Sequence, residues 1–318
     1  MKHLSFIIIF VIILILPTYA DNYSFEEDFI HKEKMEILED ALNYDLITRG
    51  MMCSLISKLI EPNSDLIENY KSVQSDFIDV PTENPYNKYI VYLSNLSISE
   101  FKIIEGDGNS CFRPNDECTY EEALKIIFSS IGWNINANST FYGGYPIGYI
   151  KIAKEIGVYV QEGNTKERVL NTLLYSLFVP QLVYKDNQVG GPHYVYGKSL
   201  IEDKFLMHWT LGNVNNNIIV TVDGDTININ SNENTNDGSA LIVWKDGSKD
   251  KIIYYLNTQQ YNDFSLIRTN GILGYITLFI LGERKRSSKQ PHGLANSYLS
   301  LLFFKDEQIH RPATTEPA

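Results

Sequence analysis

Six histidines, three cysteines and an Asp-Gly-Asp triplet are the residues of this 318-residue chain that could do chemistry beyond packing. The histidines, His3, His31, His193, His208, His292 and His310, are scattered. They form no HExxH helix or cysteine–histidine pair, and no GxSxG elbow occurs. Asp223-Gly224-Asp225 has the acidic spacing of a calcium loop, but an EF-hand starting there needs glycine and glutamate where Asn228 and Asn234 stand. The triplet reads as a hairpin turn. Cys111 and Cys118 flank a short loop and could pair, which would leave Cys53 odd; neither a CxxC pair nor a neighbouring histidine suggests a metal. The expectation is a protein that is not an enzyme and carries no cofactor.

The charge balance narrows the partners. Lysine and arginine number 27 against 39 aspartates and glutamates, a formal charge of -12. Phosphate affinity comes from clustered positive charge, so nucleic acid is excluded as a general partner. With 44% hydrophobic and 21% charged residues, the chain has the composition of a folded protein.

The elements that would position any site fall into unlike stretches. Residues 1–20 have a positive start, the apolar run Leu4 to Leu16, and small residues at Thr18 and Ala20, which is the layout of a secretory signal cleaved before Asp21. An uncleaved anchor is the alternative, although the run is short of the ~20 residues that span a bilayer. Export of the chain follows. Glu26, Glu27 and Asp28 read as a solvated acidic patch.

Residues 21–184 carry three segments, about 34–61, 77–134 and 144–182, with shared apolar spacing. Their first helices place Leu38, Ala41, Tyr44 and Leu46; Ile90, Leu93, Leu96 and Ile98; and Ile150, Ala153, Ile156 and Val158 at equal offsets. A threonine follows in each, Thr48, Thr119 and Thr165, as the cap of a second helix. Behind it runs a stripe: Met52, Ile56 and Ile60; Ala123, Ile127 and Ile131; Val169, Leu173 and Leu177. Glu122 gives Thr119 the spacing of a capping box. Only the second segment has a long loop between its helices, Gly106 to Asp116, with glycines for turns and Pro114 to interrupt the chain.

Phe77-Ile78-Asp79-Val80-Pro81, Tyr86, Tyr89-Ile90, the Asp107-Gly108 turn, Phe112-Arg113-Pro114-Asn115 and Thr119 to Ala123 together resemble one S-layer homology motif. Gly144 to Ile150, Thr165 to Val169 and Leu174 to Pro180 resemble the third motif of clostridial-type surface proteins, and Ile47 to Met51 a shortened first. The resemblance implies a pseudo-threefold prism of helices whose grooves bind anionic, usually pyruvylated, secondary cell wall polysaccharide without catalysis. It implies a binding role for the arginine of the threonine-arginine signature and for the glycine loop and aromatic groups beside it. The positions here are Arg49, Tyr120 and Lys166, with Asp107, Gly108 and Tyr86 shaping the groove. Arginine offers a carboxylate a planar fork, lysine a point charge and tyrosine neither. Tyr86 stands where tryptophan is usual.

Beyond Pro180 the apolar period changes to two. Asn217 to Val222 and Thr226 to Asn230 flank Asp223-Gly224-Asp225 as a hairpin, Ala240 to Trp244 and Lys251 to Leu256 flank another, and Gly274 to Leu281 adds a strand. The expected fold is thus α+β: an N-terminal all-α S-layer-homology-like module, then a small β-rich domain at 185–283 joined by the polar stretch Lys185 to Pro192, then a flexible tail at 284–318. The functional expectation is attachment of a secreted envelope protein to the wall. A wall-remodelling hydrolase anchored by the same motifs and a self-associating surface-lattice component are the alternatives. A hydrolase would need two carboxylates converging in a cleft.

Overall fold

The computed structural model describes residues 26, 29–30, 33, 35–98, 101–187, 191–215, 218–228 and 238–269. The signal stretch, the Gly274 to Leu281 strand and the tail lie outside them. In chain order the elements are α1 (Glu36–Leu42), α2 (Arg49–Ile60), α3 (Ser64–Glu68), α4 (Asn87–Asn95), the ribbon β1 (Ser97–Ile98) and β2 (Phe101–Lys102), α5 (Tyr120–Ser130), α6 (Asn134–Ala137), α7 (Ile147–Glu155) and α8 (Thr165–Ser176). The hairpin β3 (Pro180–Asn187) and β4 (Gly191–Ser199) follows, then α9 (Leu200–Asp203), β5 (Met207–Asn215), β6 (Ile218–Thr221), β7 (Thr226–Asn228), β8 (Gly238–Lys245) and β9 (Ile252–Leu256). A last helix covers 258–269.

The second helices form where their caps and stripes demand. Thr48 accepts the Met51 amide, and Thr119 and Glu122 make the full capping box. Ile56, Ile127 and Leu173 are each at most 1% exposed. In the third segment the cap is Asn164, whose side chain and Glu167 form the box, so Thr165 is already the first helical residue. Asparagine caps as well as threonine, and here it stands one position earlier.

The sheet runs β7-β6-β5-β8-β9, antiparallel throughout, and the two hairpins with Asp-Gly turns form as the sequence predicts. The described residues of the expected linker, 185–187 and 191–192, are strand: they belong to the hairpin β3–β4, where Lys185 pairs with His193 and Asp186 with Pro192. The expected succession of an all-α module and a separate β domain is overturned. The protein is mixed, 40% helical and 21% strand, with helices spread through the chain.

The reason is a main core that the helices and the sheet share, with Val214, Ile219, Ala240 and Ile242 of the sheet in a smaller second cluster. Leu241, Val243, Tyr254 and Leu256 of the sheet belong to the same apolar cluster as Ile56, Ile127 and Leu173 of the helices. Burying one face of an antiparallel sheet requires a cover, and the helical segments and helix 258–269 supply it. Phe178 sits at the join, with ring centroids 5.7 Å from Phe29, 5.5 Å from Trp209 and 5.0 Å from Phe264. Backbone contact is as close: Gly132, at φ +86°, lies so near β3 that a Cβ there would stand 2.0 Å from the Leu182 carbonyl oxygen.

Helix 258–269 also creates a pH-sensitive spot. Burial pushes the Asp263 carboxyl up to about 6; a hydrogen bond from Gln259 opposes the rise and the Glu26 charge adds to it. The folded chain therefore holds this proton more tightly than the unfolded one. The stability it contributes is full below the unfolded carboxylate range near pH 4 and is lost as pH rises through about 6. Asp263→Asn should melt above the wild type at pH values above about 7, with the gap closing by about pH 4. Melting curves across that range check it; a constant gap would locate the effect elsewhere.

Candidate functional site

A pocket of about 150 Å³ opens where the three segments meet. The first segment contributes Arg49, the first residue of α2. The second contributes the Ile103 to Arg113 loop together with Glu122 and Lys125, one turn apart on α5, and the third contributes Tyr145.

The start of α2 is fastened to the loop's descending limb. The Arg49 amide donates to the Asp116 carbonyl at 2.9 Å, the Gly50 amide to Pro114 at 2.8 Å and the Cys118 amide to Ile47 at 2.9 Å. Gly50 is required there, because a Cβ would meet the Tyr86 ring at 2.5 Å and the Pro114 carbonyl at 2.9 Å. The loop is held from inside: Asp79 accepts the amides of Phe112 (2.8 Å) and Arg113 (2.6 Å), and Asp107 accepts those of Asn109 (2.9 Å) and Cys111 (3.3 Å). Those amides, above all that of Asn109, hold the Asp107 carboxyl below its usual range.

Arg49 is 7% exposed and already partnered. Its Nε donates to the Phe112 carbonyl at 2.8 Å, its Nη1 pairs with Glu122, and its carbon centre lies 4.6 Å from the Phe112 ring centroid. Its Nη2 makes a long 3.4 Å bond to the Glu105 carbonyl. Glu122 serves two partners, since its second oxygen accepts the Thr119 amide. Lys125 pairs with Glu105 at 2.5 Å and stands 5.5 Å from the Tyr145 ring centroid. The cations Arg49, Arg113 and Lys125 are thus matched by Glu105, Asp107 and Glu122, with Ile103, Ile104 and Phe112 as apolar wall.

Of the residues expected from sequence, Arg49 and Asp107 line this pocket, Gly108 follows at φ +86°, and Tyr86 packs behind α2. Tyr120 and Lys166 stand elsewhere. Tyr120 is 3% exposed; its hydroxyl lies 2.7 Å from Thr172 Oγ1 and accepts the Val160 amide at 2.9 Å. Lys166 donates to the Leu42 carbonyl at 2.6 Å, at the C-terminal end of α1, where a cation is favoured. Each of the three signature positions therefore ties one segment to the next: Arg49 first to second, Tyr120 second to third, Lys166 third to first.

Sequence reasoning missed Glu105, Arg113, Glu122, Lys125 and Tyr145 as site residues. The three-residue spacing of Glu122 and Lys125 on one helix face was a usable signal; the distant pairing of Arg49 with Glu122 was not. All three cysteines are free. Burial raises the thiol pKa of Cys53 and pushes that of Cys118 up to about 12, which leaves both unreactive as nucleophiles.

The fold and pocket define a mixed α/β protein with a polar cleft at the junction of its helical segments. No protein-family profile matches the chain, and no solved structure matches it. A stretch of 112 residues, 35% of the chain, is 30% identical to a protein of Thermoanaerobacter kivui named cell surface protein. The match covers 13% of that relative's length. This partial likeness is consistent with a role at the cell surface. Among the described residues no helix is long and apolar enough to cross a membrane.

Proposed function

We propose that this is a non-catalytic cell-envelope protein that attaches to anionic secondary cell wall polysaccharide through the junction pocket. The observation that carries the reading is the convergence of Arg49, Lys125, Arg113 and Tyr145 from three chain segments on one cleft. The resemblance of those segments to S-layer homology motifs supports it, as does the likeness to a cell surface protein. A sugar acid entering the pocket meets the weakly engaged Nη2 of Arg49 and the Lys125 ammonium, with apolar wall behind for its ring face. The non-catalytic part rests on the state of the carboxylates. Glu122 and Glu105 pair with cations and Asp107 accepts backbone amides, so each carboxylate lining the pocket is already engaged.

Co-sedimentation of the chain with purified wall sacculi, before and after extraction of the secondary polymer, tests the proposal. Binding should fall on extraction, and Lys125→Glu should weaken it about tenfold or more while melting stays near wild type. Equal binding to extracted sacculi would refute the reading.

A further inference from the structure

The five-stranded sheet has two apolar faces, and the described helices pack on only one of them. Side chains alternate along a strand, so Leu241 and Val243 of β8 face the helices while Ala240 and Ile242 face away. Cross-strand partners extend the outward face: Gly212 lies opposite Ala240, Thr210 opposite Ile242, and Val214 opposite Ile219. Gly212 lets its neighbours close over it, because a Cβ there would stand 2.4 Å from Ile219 Cγ2 and 3.2 Å from Ile242 Cδ1. An antiparallel sheet with water on one face carries polar residues there. This face is apolar, and Ile219, Ala240 and Ile242 are 0% exposed. Among the described residues, the half-buried apolar side chains packed on the cluster are Ile227, Trp244 and Ile253, all of the sheet itself. A single layer does not shield its own central isoleucine from water, so the face needs a second cover.

Helix 258–269 brings the chain to the edge of this face. β6 pairs with β5 only from Gly212 to Asn215, and the Val222 amide adds one bond to the Leu211 carbonyl. Among the described residues no strand flanks Met207 to Thr210 on that side. Arg268 stands at this opening. Its guanidinium carbon lies 5.9 Å from the ring centroid of Trp209, on the helix-facing side, and its Nη2 pairs with Asp223. The other Asp223 oxygen accepts the hydroxyl of Thr210, on the outward side, at 2.7 Å. The chain therefore leaves its last described helix at a passage between the two faces. Four residues beyond Arg268 begins the run Ile272 to Leu281, ten residues without a charge.

We infer that the outward face of the sheet is the docking site of residues 272–281 of the same chain. Four residues reach at most ~14 Å, enough to pass one packed layer of ~10 Å. Ten residues reach up to ~33 Å, against ~19 Å across five strands. Other stretches outside the described residues suit the face less. Residues 229–237 hold one isoleucine among polar and acidic residues, and the apolar run Leu299 to Phe304 begins 31 residues beyond Arg268, past Arg284-Lys285-Arg286. The run Leu4 to Leu16 is expected to leave with the signal. The assignment is independent of what the junction pocket binds.

Photocrosslinking in the full chain tests this. p-Benzoylphenylalanine in place of Trp244, an aromatic of similar size at the margin of the face, should on irradiation join to residues 272–281, as read by peptide mass mapping. In separate variants Ile276→Asp and Leu278→Asp, each of which puts a charge into the docked run, amide hydrogen exchange of β8 should rise about tenfold or more while α2 keeps its wild-type protection. Leu301→Asp, in the later apolar run, should leave β8 unchanged. The crosslink needs no destabilising substitution, so it decides the matter even where an aspartate unfolds α2 as well. Joining to residues 229–237, to 299–304 or to a second copy of the chain in place of 272–281, or no joining at all, would overturn the inference. Wild-type exchange of β8 in both aspartate variants would overturn it too.

Discussion

Phe178→Ala should cost about 3–5 kcal/mol, and it should cost that to the helices and the sheet together. The side chain is 1% exposed and touches rings from the N-terminal segment (Phe29), from β5 (Trp209) and from helix 258–269 (Phe264). Truncation removes the transfer energy of a phenyl group and leaves a cavity that fixed neighbours on three sides cannot fill. Two separately folded modules would respond differently, with the damage confined to one. Urea unfolding followed in parallel by far-ultraviolet circular dichroism and tryptophan fluorescence distinguishes them. Coincident curves shifted by the same amount are expected. A helical signal that unfolds at the wild-type midpoint while fluorescence shifts would disprove the shared core.

Arg49→Ala should destabilise by about 3 kcal/mol, apart from any effect on ligand. Removing one partner of a buried ion pair leaves the other charge uncompensated, at a typical cost of ~3–5 kcal/mol. The Glu122 side chain is 21% exposed, so water can take up part of its charge and the lower end applies. The decisive comparison is with Glu122→Gln. Glutamine at that position can still accept the Thr119 amide, so the helix cap survives while the charge is gone. Arg49→Ala combined with Glu122→Gln should therefore be at least ~1 kcal/mol less damaging than the sum of the single changes. Additive costs would mean that Arg49 stabilises through its stacking on Phe112 and its bond to the Phe112 carbonyl instead.

The difference between what could and could not be read in the sequence follows from range. The Thr119–Glu122 box and the stripes at Ile56, Ile127 and Leu173 are set by neighbours three and four residues away, so type and spacing carry them. The β6–β7 and β8–β9 hairpins are legible for the same reason, since each has an Asp-Gly turn with the glycine at positive φ. The β3–β4 hairpin escaped because Lys185, Asp186 and Asn187 show no alternation of polar and apolar residues: the two strands form their own ribbon, outside the five-stranded sheet. Helix 258–269 was overlooked although Asn257 and Gln260 exchange cap bonds of 2.9 and 3.0 Å, a local sign that was present. In the site, the residue types at positions 49, 107 and 108 were visible. That Glu122, 73 residues on, would neutralise the arginine was not, because nothing local fixes a contact of that separation.

The three ties among the segments close into a ring, and the ring bears on the order of folding. Tyr120 reaches Val160 across 40 residues, Arg49 reaches Glu122 across 73, and Lys166 reaches Leu42 across 124. Loop-closure entropy rises only with the logarithm of length, about 0.6 kcal/mol per doubling, so closing the longest link costs less than that beyond the middle one. Thermodynamically the ring is cheap to complete. Kinetically the long link waits on the shorter ones, because each tie already made shortens the effective loop the next must close. On chain separation alone, the expected order of assembly runs from the second and third segments outward, with the bond from Lys166 to Leu42 closing the ring last.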